Sequence, residues 1–557
     1  MEGMSLTFIS DFNIEALSRL VANSPAVKGI TCKAAPFGQV HQSLAQLHKQ
    51  KPWGAAVWTL PERTIQGFAT AFNLEDIDHE SVLAEVDAFA KSLIAAAGDT
   101  TLFVASWVLP VGFSGYGPLD WRPELGLKNL LARMNLRLAE KLAIASNIYM
   151  LDTDSWLAQI AAPLSPKMWY AAKVPFASKV FEKAAGDIIS AIVAIKGLSR
   201  RLIVLDLDNT LWGGVIGETG WQGIRLGGHD HIGEAYKEFQ KELKALSNRG
   251  IQLAIVSKND ENVALEALDN HGEMLLKRND FAGWRINWHD KAANIVSLVE
   301  DIGLGLTSVV FIDDNPAERD RVANALPAVF VPEWPQDPTA YVTALRALSC
   351  FHSNAISKED RDRKAMYVAE RARKDVQQGV DSPEEWLKRL GTRLYISRLN
   401  TSNVTRITQL FNKTNQLNLS TRRLSESEIL AWAQAPNHSL LAFSASDHFG
   451  DMGLVGIIGV EANGKQGTLT DFILSCRVMG RKVEETMLHL AACELVNLGA
   501  DTMKIYYKQT ARNRPTLDVL LTAGLAETEP HHFEINAAAG FPKPETVALD
   551  FATTAAP

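Results

Sequence analysis

Cysteine is scarce in this sequence: Cys32, Cys350, Cys476 and Cys493 are the only four in 557 residues, and they lie far apart. That spacing excludes a disulfide framework and a paired Cys-x-x-Cys metal motif, and it fits a reducing, cytoplasmic setting. Positive charge is not in excess either. The formal net charge is −8, so no global basic surface points to nucleic acid. No uncharged apolar run approaches the ~20 residues that cross a bilayer, so no membrane association is expected. The opening residues, MEGMSLTFISDF, lack a basic stretch followed by a long apolar one, so a secretory leader is not expected. Internal repeats are lacking, and the one biased segment is FATTAAP, residues 551–557. The remaining balance, 46% hydrophobic and 22% charged, is that of soluble globular domains. The length predicts roughly two to four of them.

The sequence is organised around RLIVLDLDNTLWGGVIGE, residues 201–218. The apolar run 202–205 reads as a buried parallel strand that delivers Asp206 and Asp208 at its C-terminal edge, where open α/β sheets bind ligands. One strand period separates the two aspartates, so they leave on the same side. Carboxylates this close repel unless a cation or a shared proton intervenes. Mg²⁺ is the expected cation for oxygen ligands beside a phosphate.

Asp-x-Asp-x-Thr after an apolar strand resembles the haloacid dehalogenase (HAD) superfamily of phosphotransferases. The resemblance implies that Asp206 attacks phosphorus and that Asp208 protonates the leaving oxygen and later activates water. The strand expected at 253–256 ends in Ser257-Lys258-Asn259, Lys291 opens a helix, and the strand expected at 308–312 ends in Asp313-Asp314. These are the remaining HAD elements in order. By the same resemblance, Thr210, Ser257 and Lys291 bind the phosphoryl group, and Asp206, Asp208, Asp313 and Asp314 hold the metal. Each sits at a strand end or helix start, as an electrostatic clamp requires. The interval between Asp206 and Ser257 is too short for a lid domain, so a capless form spanning residues 199–345 is expected. His229, His231 and His289 read as loop histidines rather than metal ligands.

Residues 1–198 alternate short apolar runs (5–10, 54–60, 102–109, 148–151) with helical patterns (14–21, 81–97, 127–145). This rhythm predicts a parallel sheet covered by helices. Ser10-Asp11-Phe12-Asn13 resembles the nucleophile block of SGNH-type hydrolases. Such a serine needs a histidine and an acid late in the domain. Residues 151–177 offer Asp152, Asp154, Lys167 and Lys173 but no histidine, so a degenerate hydrolase-like scaffold or docking domain is expected.

Residues 346–380 are expected to form a charged linker, helical over 358–374, with 381–548 as a third domain and 549–557 as a tail. LTDFILSCRVMGRKVEETML resembles motif A of the GNAT acyltransferase fold. There Arg477, Gly480, Arg481 and Lys482 would form a phosphate-binding loop before a helix, suited to a phosphopantetheine arm. Cys476 is a candidate acyl-accepting thiol, and His448, in DHFGD, a candidate base for it.

DLDNTLWGGVIGE, AYKEFQKELKALSNRGIQLAIVSKN, FIDDNPAER, NKTNQLNLSTRR, FGDMGLVG and LSCRVMGRKVEE together and in this order resemble the FkbH-like family of polyketide biosynthesis, here with an SGNH-like N-terminal extension. The resemblance implies an α/β protein of three domains: an SGNH-like parallel α/β domain, a capless HAD Rossmann-like domain and a GNAT-like α+β domain. It implies a cytoplasmic, Mg²⁺-dependent phosphatase and glyceryltransferase. The donor would be D-1,3-bisphosphoglycerate, and the acceptor the phosphopantetheine thiol of an acyl carrier protein. Two other readings are a stand-alone HAD phosphatase with a partner-binding C-terminal domain, and a coenzyme A-dependent N-acyltransferase.

Overall fold

The structure is a computed structural model. It describes residues 3–551 except 77, 111–112, 114, 159, 353–372, 374–381, 401, 415–416 and 511–512, and the side chains of 413, 427 and 476. The helix expected over 358–374 lies outside the described residues apart from Arg373, and so does most of the expected tail. The chain divides into two compact units: residues 1–201 with 343–355, and 202–342 with 356–557.

In the first unit, β1 (Ser5–Ser10), β2 (Thr31–Ala34), β3 (Gly54–Trp58), β4 (Thr101–Ala105) and β5 (Ile148–Leu151) form a parallel sheet in the order β2-β1-β3-β4-β5. Strand alternation separates two cores. Ile9, Val57 and Val104 face the helices His79–Ala97 and Leu127–Leu142, whereas Phe8, Ala56 and Phe103 face Glu15–Ala22 and Ser178–Ile195. Asp78 starts the long helix His79–Ala97 by accepting the N–H groups of Glu80 and Ser81. β2 was not expected from the sequence. Its TCKA is short and partly exposed, as an edge strand is, and carries no apolar pattern.

The second unit holds two sheets. The first is parallel, with β6 (Leu202–Leu205), β7 (Gln252–Ser257), β8 (Phe281–Ile286) and β9 (Val309–Ile312) in the order β8-β7-β6-β9. β6, β7 and β9 are buried on both faces, which explains their unbroken apolar runs. Between β6 and the helix His231–Asn248 lie only the one-turn helix Ile216–Thr219 and a flap closed by the Gly213–Arg225 bridge. No lid domain interrupts this interval. Gly213 is required there: a Cβ would meet the Tyr236 ring at 2.8 Å.

The other sheet is mixed. It contains β10 (Arg393–Arg398), β11 (Leu417–Asn418), β12 (His438–Asp447), β13 (Gly450–Asn463), β14 (Gln466–Leu474), β15 (Thr502–Tyr506), β16 (Glu527–Glu529), β17 (His532–Asn536) and β18 (Ala548–Phe551). The order is β16-β17-β15-β14-β13-β12-β10-β18, with β11 on β14. Long antiparallel hairpins dominate, but β14 and β15 run parallel, joined by the helix Val483–Asn497, whose Met487, Leu488 and Leu495 pack into the core under the sheet. The protein is thus a multi-domain α/β molecule.

Candidate active site

The C-terminal edge of the four-stranded parallel sheet gathers Asp206, Asp313 and Asp314. Each offers a carboxylate oxygen within 4.8 Å of the others. Asp206 leaves β6 and Asp313 leaves β9. These strands are paired, and the Asp206 N–H continues the pairing by donating to Ile312 O at 3.0 Å. Lys291, first residue of the helix Lys291–Ile302, lies 2.6 Å from Asp313 Oδ2 and 3.0 Å from Asp206 Oδ1. Asp206, Lys291 and Asp313 are all buried. One ammonium against three carboxylates leaves an excess of negative charge at a largely buried edge. That excess, on hard oxygen donors, fits a divalent cation such as Mg²⁺.

The electrostatics follow from this packing. Burial raises the pKa of Asp313 to about 6; the Asp206 charge adds to the rise and Lys291 opposes it. Burial and Asp206 likewise raise Asp314. Burial alone would lower Lys291, but Asp206 and Asp313 outweigh it and hold the ammonium above its usual value. Lys291 is therefore a permanent positive charge here.

Asp208, expected in the metal set, is placed differently from the other three aspartates. Its carboxylate does not belong to the cluster. Oδ1 accepts Trp212 Nε1 at 2.9 Å and the Ile216 N–H at 3.2 Å, and Oδ2 accepts Asn259 Nδ2 at 3.1 Å. It is thus fixed by three donors, beside rather than within the group of Asp206. Burial raises its pKa against the pull of these hydrogen bonds.

Thr210 stands on the same sheet edge. Its buried hydroxyl receives the Asp314 N–H at 3.1 Å and lies 3.3 Å from Asp314 Oδ1. It therefore holds the Asp314 turn. Ser257 ends β7, buried, with its Oγ accepting Asn259 Nδ2 at 3.2 Å. Asn259 thus links Ser257 to Asp208. Arg319 Nη1 donates to the carbonyl oxygens of Asp313 and Asp314, each at 2.8 Å. Trp212, Asn259 and Arg319 were not expected as site residues. Each stands close to a motif, but its role depends on a partner that only the fold supplies.

The C-terminal candidates are arranged differently from expectation. The Gly480 N–H donates to Glu484 Oε1 at 2.7 Å, so this amide is already served from within the chain. Glu484 is buried, its Oε2 has no hydrogen-bond partner among the described residues, and burial raises its pKa. Arg481 is buried on Asp447, 3.2 Å away, beside Arg373, which binds the same carboxylate at 2.6 and 2.8 Å. Lys482 pairs with Glu485, and Arg477 Nε donates to Ser475 Oγ at 3.2 Å. Of the four expected phosphate-binding residues, Gly480 and Arg481 serve internal carboxylates. Beside the parallel β14–β15 pairing over residues 466–469, Leu417 and Asn418 of β11 pair with Leu474 and Ile473 on the same edge of β14. The chain itself lines that edge. His448 is exposed, its ring lying over Gly391, where a Cβ would come within 2.5 Å of it. Cys476 begins the turn Cys476–Val478, and its side chain lies outside those described. Cys493 is exposed, with Sγ 3.6 Å from His489 Nε2.

In the first unit, Ser10 is buried and its Oγ accepts the Phe12 N–H at 3.1 Å. It secures the turn after β1.

No protein-family profile matches the sequence, and no curated protein sequence does. Among solved structures, the chain is similar to the N-terminal part of the protein BF1531 from Bacteroides fragilis, described as containing a phosphatase domain complexed with Mg. The two are 25% identical, with a TM-score of 0.58 over 63% of this chain and 94% of that one. A smaller part resembles GNAT-type domains. The GNAT domain of S. lividans PAT is 13% identical over 25% of this chain and 89% of its own, with a TM-score of 0.20. The yncA protein of Salmonella typhimurium, solved with acetyl-CoA, is 12% identical over 26% and 94%, with a TM-score of 0.21. The first similarity supports a phosphatase domain in this chain.

Proposed function

We propose that this chain is an enzyme, a HAD-type phosphatase coupled to acyl transfer. In this reading it takes D-1,3-bisphosphoglycerate, removes its phosphates and loads the glyceryl group as a thioester on an acyl carrier protein. The observation that carries the phosphatase half is the convergence of Asp206, Lys291, Asp313 and Asp314 at one sheet edge. The similarity to a Mg-complexed phosphatase domain supports it.

A carboxylate oxygen of Asp206 attacks phosphorus, and the bond from phosphorus to the ester oxygen breaks. Asp208, held by Trp212, Ile216 and Asn259, gives its proton to that leaving oxygen. A water then attacks the aspartyl phosphate at phosphorus, its proton passes to Asp208, and phosphate departs with the Asp206 carboxylate restored. Lys291 neutralises charge on the phosphoryl oxygens, and Ser257 offers them a hydrogen bond. Asp206, Asp313 and Asp314 would hold Mg²⁺, which supplies further charge neutralisation and in-line orientation.

In the acyl half, the Cys476 sulfur attacks the carboxyl carbon of the acyl phosphate, and its proton passes through His448 to the departing phosphate. The carrier thiol then displaces the Cys476 sulfur, its proton passing through His448 to that sulfur. A second reading, a stand-alone phosphatase whose C-terminal domain binds a partner, is favoured by one observation: the Gly480 amide and Arg481 already serve Glu484 and Asp447. The two readings separate in the intact mass of a phosphopantetheinylated carrier, incubated with this protein, Mg²⁺ and freshly generated 1,3-bisphosphoglycerate. A glyceryl adduct, replaced by a phosphoglyceryl adduct with Asp206→Asn, is the expected result. Phosphate release with no adduct on any of several carriers would establish the second reading.

A further inference from the structure

The first unit carries a pocket that the phosphate chemistry does not use. Its volume is about 270 Å³, and Asp11, Gln39, His41, Gln42, Arg63 and Thr64 line it. Topology sets its place. In the order β2-β1-β3-β4-β5, the connections after β1 and β3 leave toward opposite sides, and ligands bind in the crevice outside the strand ends at such a switch point. Asp11 directly follows β1. Arg63 and Thr64 lie in the short helix Pro61–Thr64 after β3, and Gln39 to Gln42 open the helix Val40–Gln50 after β2.

Two of the lining side chains, Arg63 and Asp11, are held in place. Arg63 Nη1 donates to the Asp11 carbonyl oxygen at 3.3 Å, and its guanidinium lies 4.7 Å over the Trp169 ring. These contacts fix a planar cation at the rim. The N-cap residue of the helix Val40–Gln50, Gln39, makes no capping bond with its side chain. The Asp11 carboxyl is buried, 6% exposed, and accepts the Leu60 N–H at 3.0 Å and Thr64 Oγ1 at 3.4 Å.

We propose that this pocket binds a small molecule through an oxyanion, a carboxylate or a phosphate, that pairs with Arg63 beside Asp11. A fixed guanidinium suits such an anion, and Gln39, Gln42 and Thr64 supply neutral hydrogen-bonding groups around it. No hydrolysis is involved, since Ser10 is buried and committed to the turn. The state of Asp11 agrees. Burial, with Glu62 adding, raises its pKa from 3.8 to about 7 against the Leu60 N–H and Arg63. The charged groups acting on it are Glu62 and Arg63 of the helix Pro61–Thr64, and His41 lines the same pocket. Ionised Asp11 would repel the anion, so binding retains a proton.

Hydrogen exchange read by mass spectrometry on the full chain tests this, in the Asp206→Asn background so that phosphate-site effects fall in other peptides. The probes are sulfate, fully ionised through the neutral range, and glycerate. Protection of residues 38–42 and 60–64 is expected. Sulfate alone would assign phosphate-type ligands, and glycerate alone carboxylates. Protection should be lost in Arg63→Ala and partly retained in Arg63→Lys, which keeps the charge. Between about pH 7 and 8 the sulfate affinity should fall by up to about tenfold, and Asp11→Asn should flatten that fall. No local protection by either probe, or equal protection in Arg63→Ala, overturns the proposal.

Discussion

At the residue scale, the chemistry depends on side chains that hold others. Asn259 donates to both Asp208 and Ser257. Asn259→Ala leaves Asp208 with two of its three donors and free to turn. In steady-state kinetics kcat is expected to fall by about 10–100-fold with KM changed little, because positioning is lost and substrate contact is not. Parallel losses in KM would show that Asn259 binds substrate instead. Asp11 yields a prediction in stability. Its folded pKa, about 7, stands above the ordinary 3.8, so the folded state binds the proton more tightly. The favourable contribution is complete below about pH 4 and is lost as pH rises to about 7, where burying the ionised form costs stability. Asp11→Asn, which still accepts the Leu60 N–H, is therefore expected to raise the thermal midpoint relative to wild type more at about pH 8 than at pH 5. An equal change at both would place the Asp11 carboxylate in an ordinary environment.

At the scale of elements, buried strands were legible and edges were not. β1, β6, β7 and β9 are apolar on both faces and announced themselves as continuous runs. β2, β8, β11 and the strands from β16 onward are short, partly exposed or interrupted by polar residues, and periodicity alone does not mark them. The site divides in the same way. Asp206, Ser257, Lys291 and Asp313 stand at strand ends or helix starts and were legible from motif order. The turning of Asp208 toward Trp212 and Asn259, and of Thr210 toward Asp314, was not, since these depend on contacts made only in the folded sheet edge. The loop before the helix Val483–Asn497 shows the hazard of reading charge from sequence. Arg481 resembles a phosphate ligand there, yet its guanidinium is buried on Asp447 together with Arg373. Arg481→Met should destabilise the fold by roughly 2–5 kcal/mol in urea unfolding, without any ligand present, because it strips a partner from a buried carboxylate. A stability unchanged to within about 0.5 kcal/mol would return Arg481 to the surface and to phosphate binding.

At the scale of the whole molecule, phosphate chemistry sits on the parallel sheet of the second unit, and a second anion pocket is inferred in the first. Both use the carboxyl ends of parallel strands, where helix starts and short loops converge. Asp206 is the nucleophile of the proposed phosphatase, and this is open to direct trapping. The measurement is the peptide mass of Asp208→Asn protein mixed with Mg²⁺ and acetyl phosphate, then acid-quenched and digested. Acetyl phosphate has a good leaving group and needs no acid, whereas hydrolysis of the intermediate needs Asp208. The account predicts one phosphoryl group on the peptide carrying Asp206, and none once Asp206 is also replaced by Asn. Wild-type protein that releases phosphate rapidly while no phosphoryl group ever appears on Asp206, or appears on another residue, would contradict it.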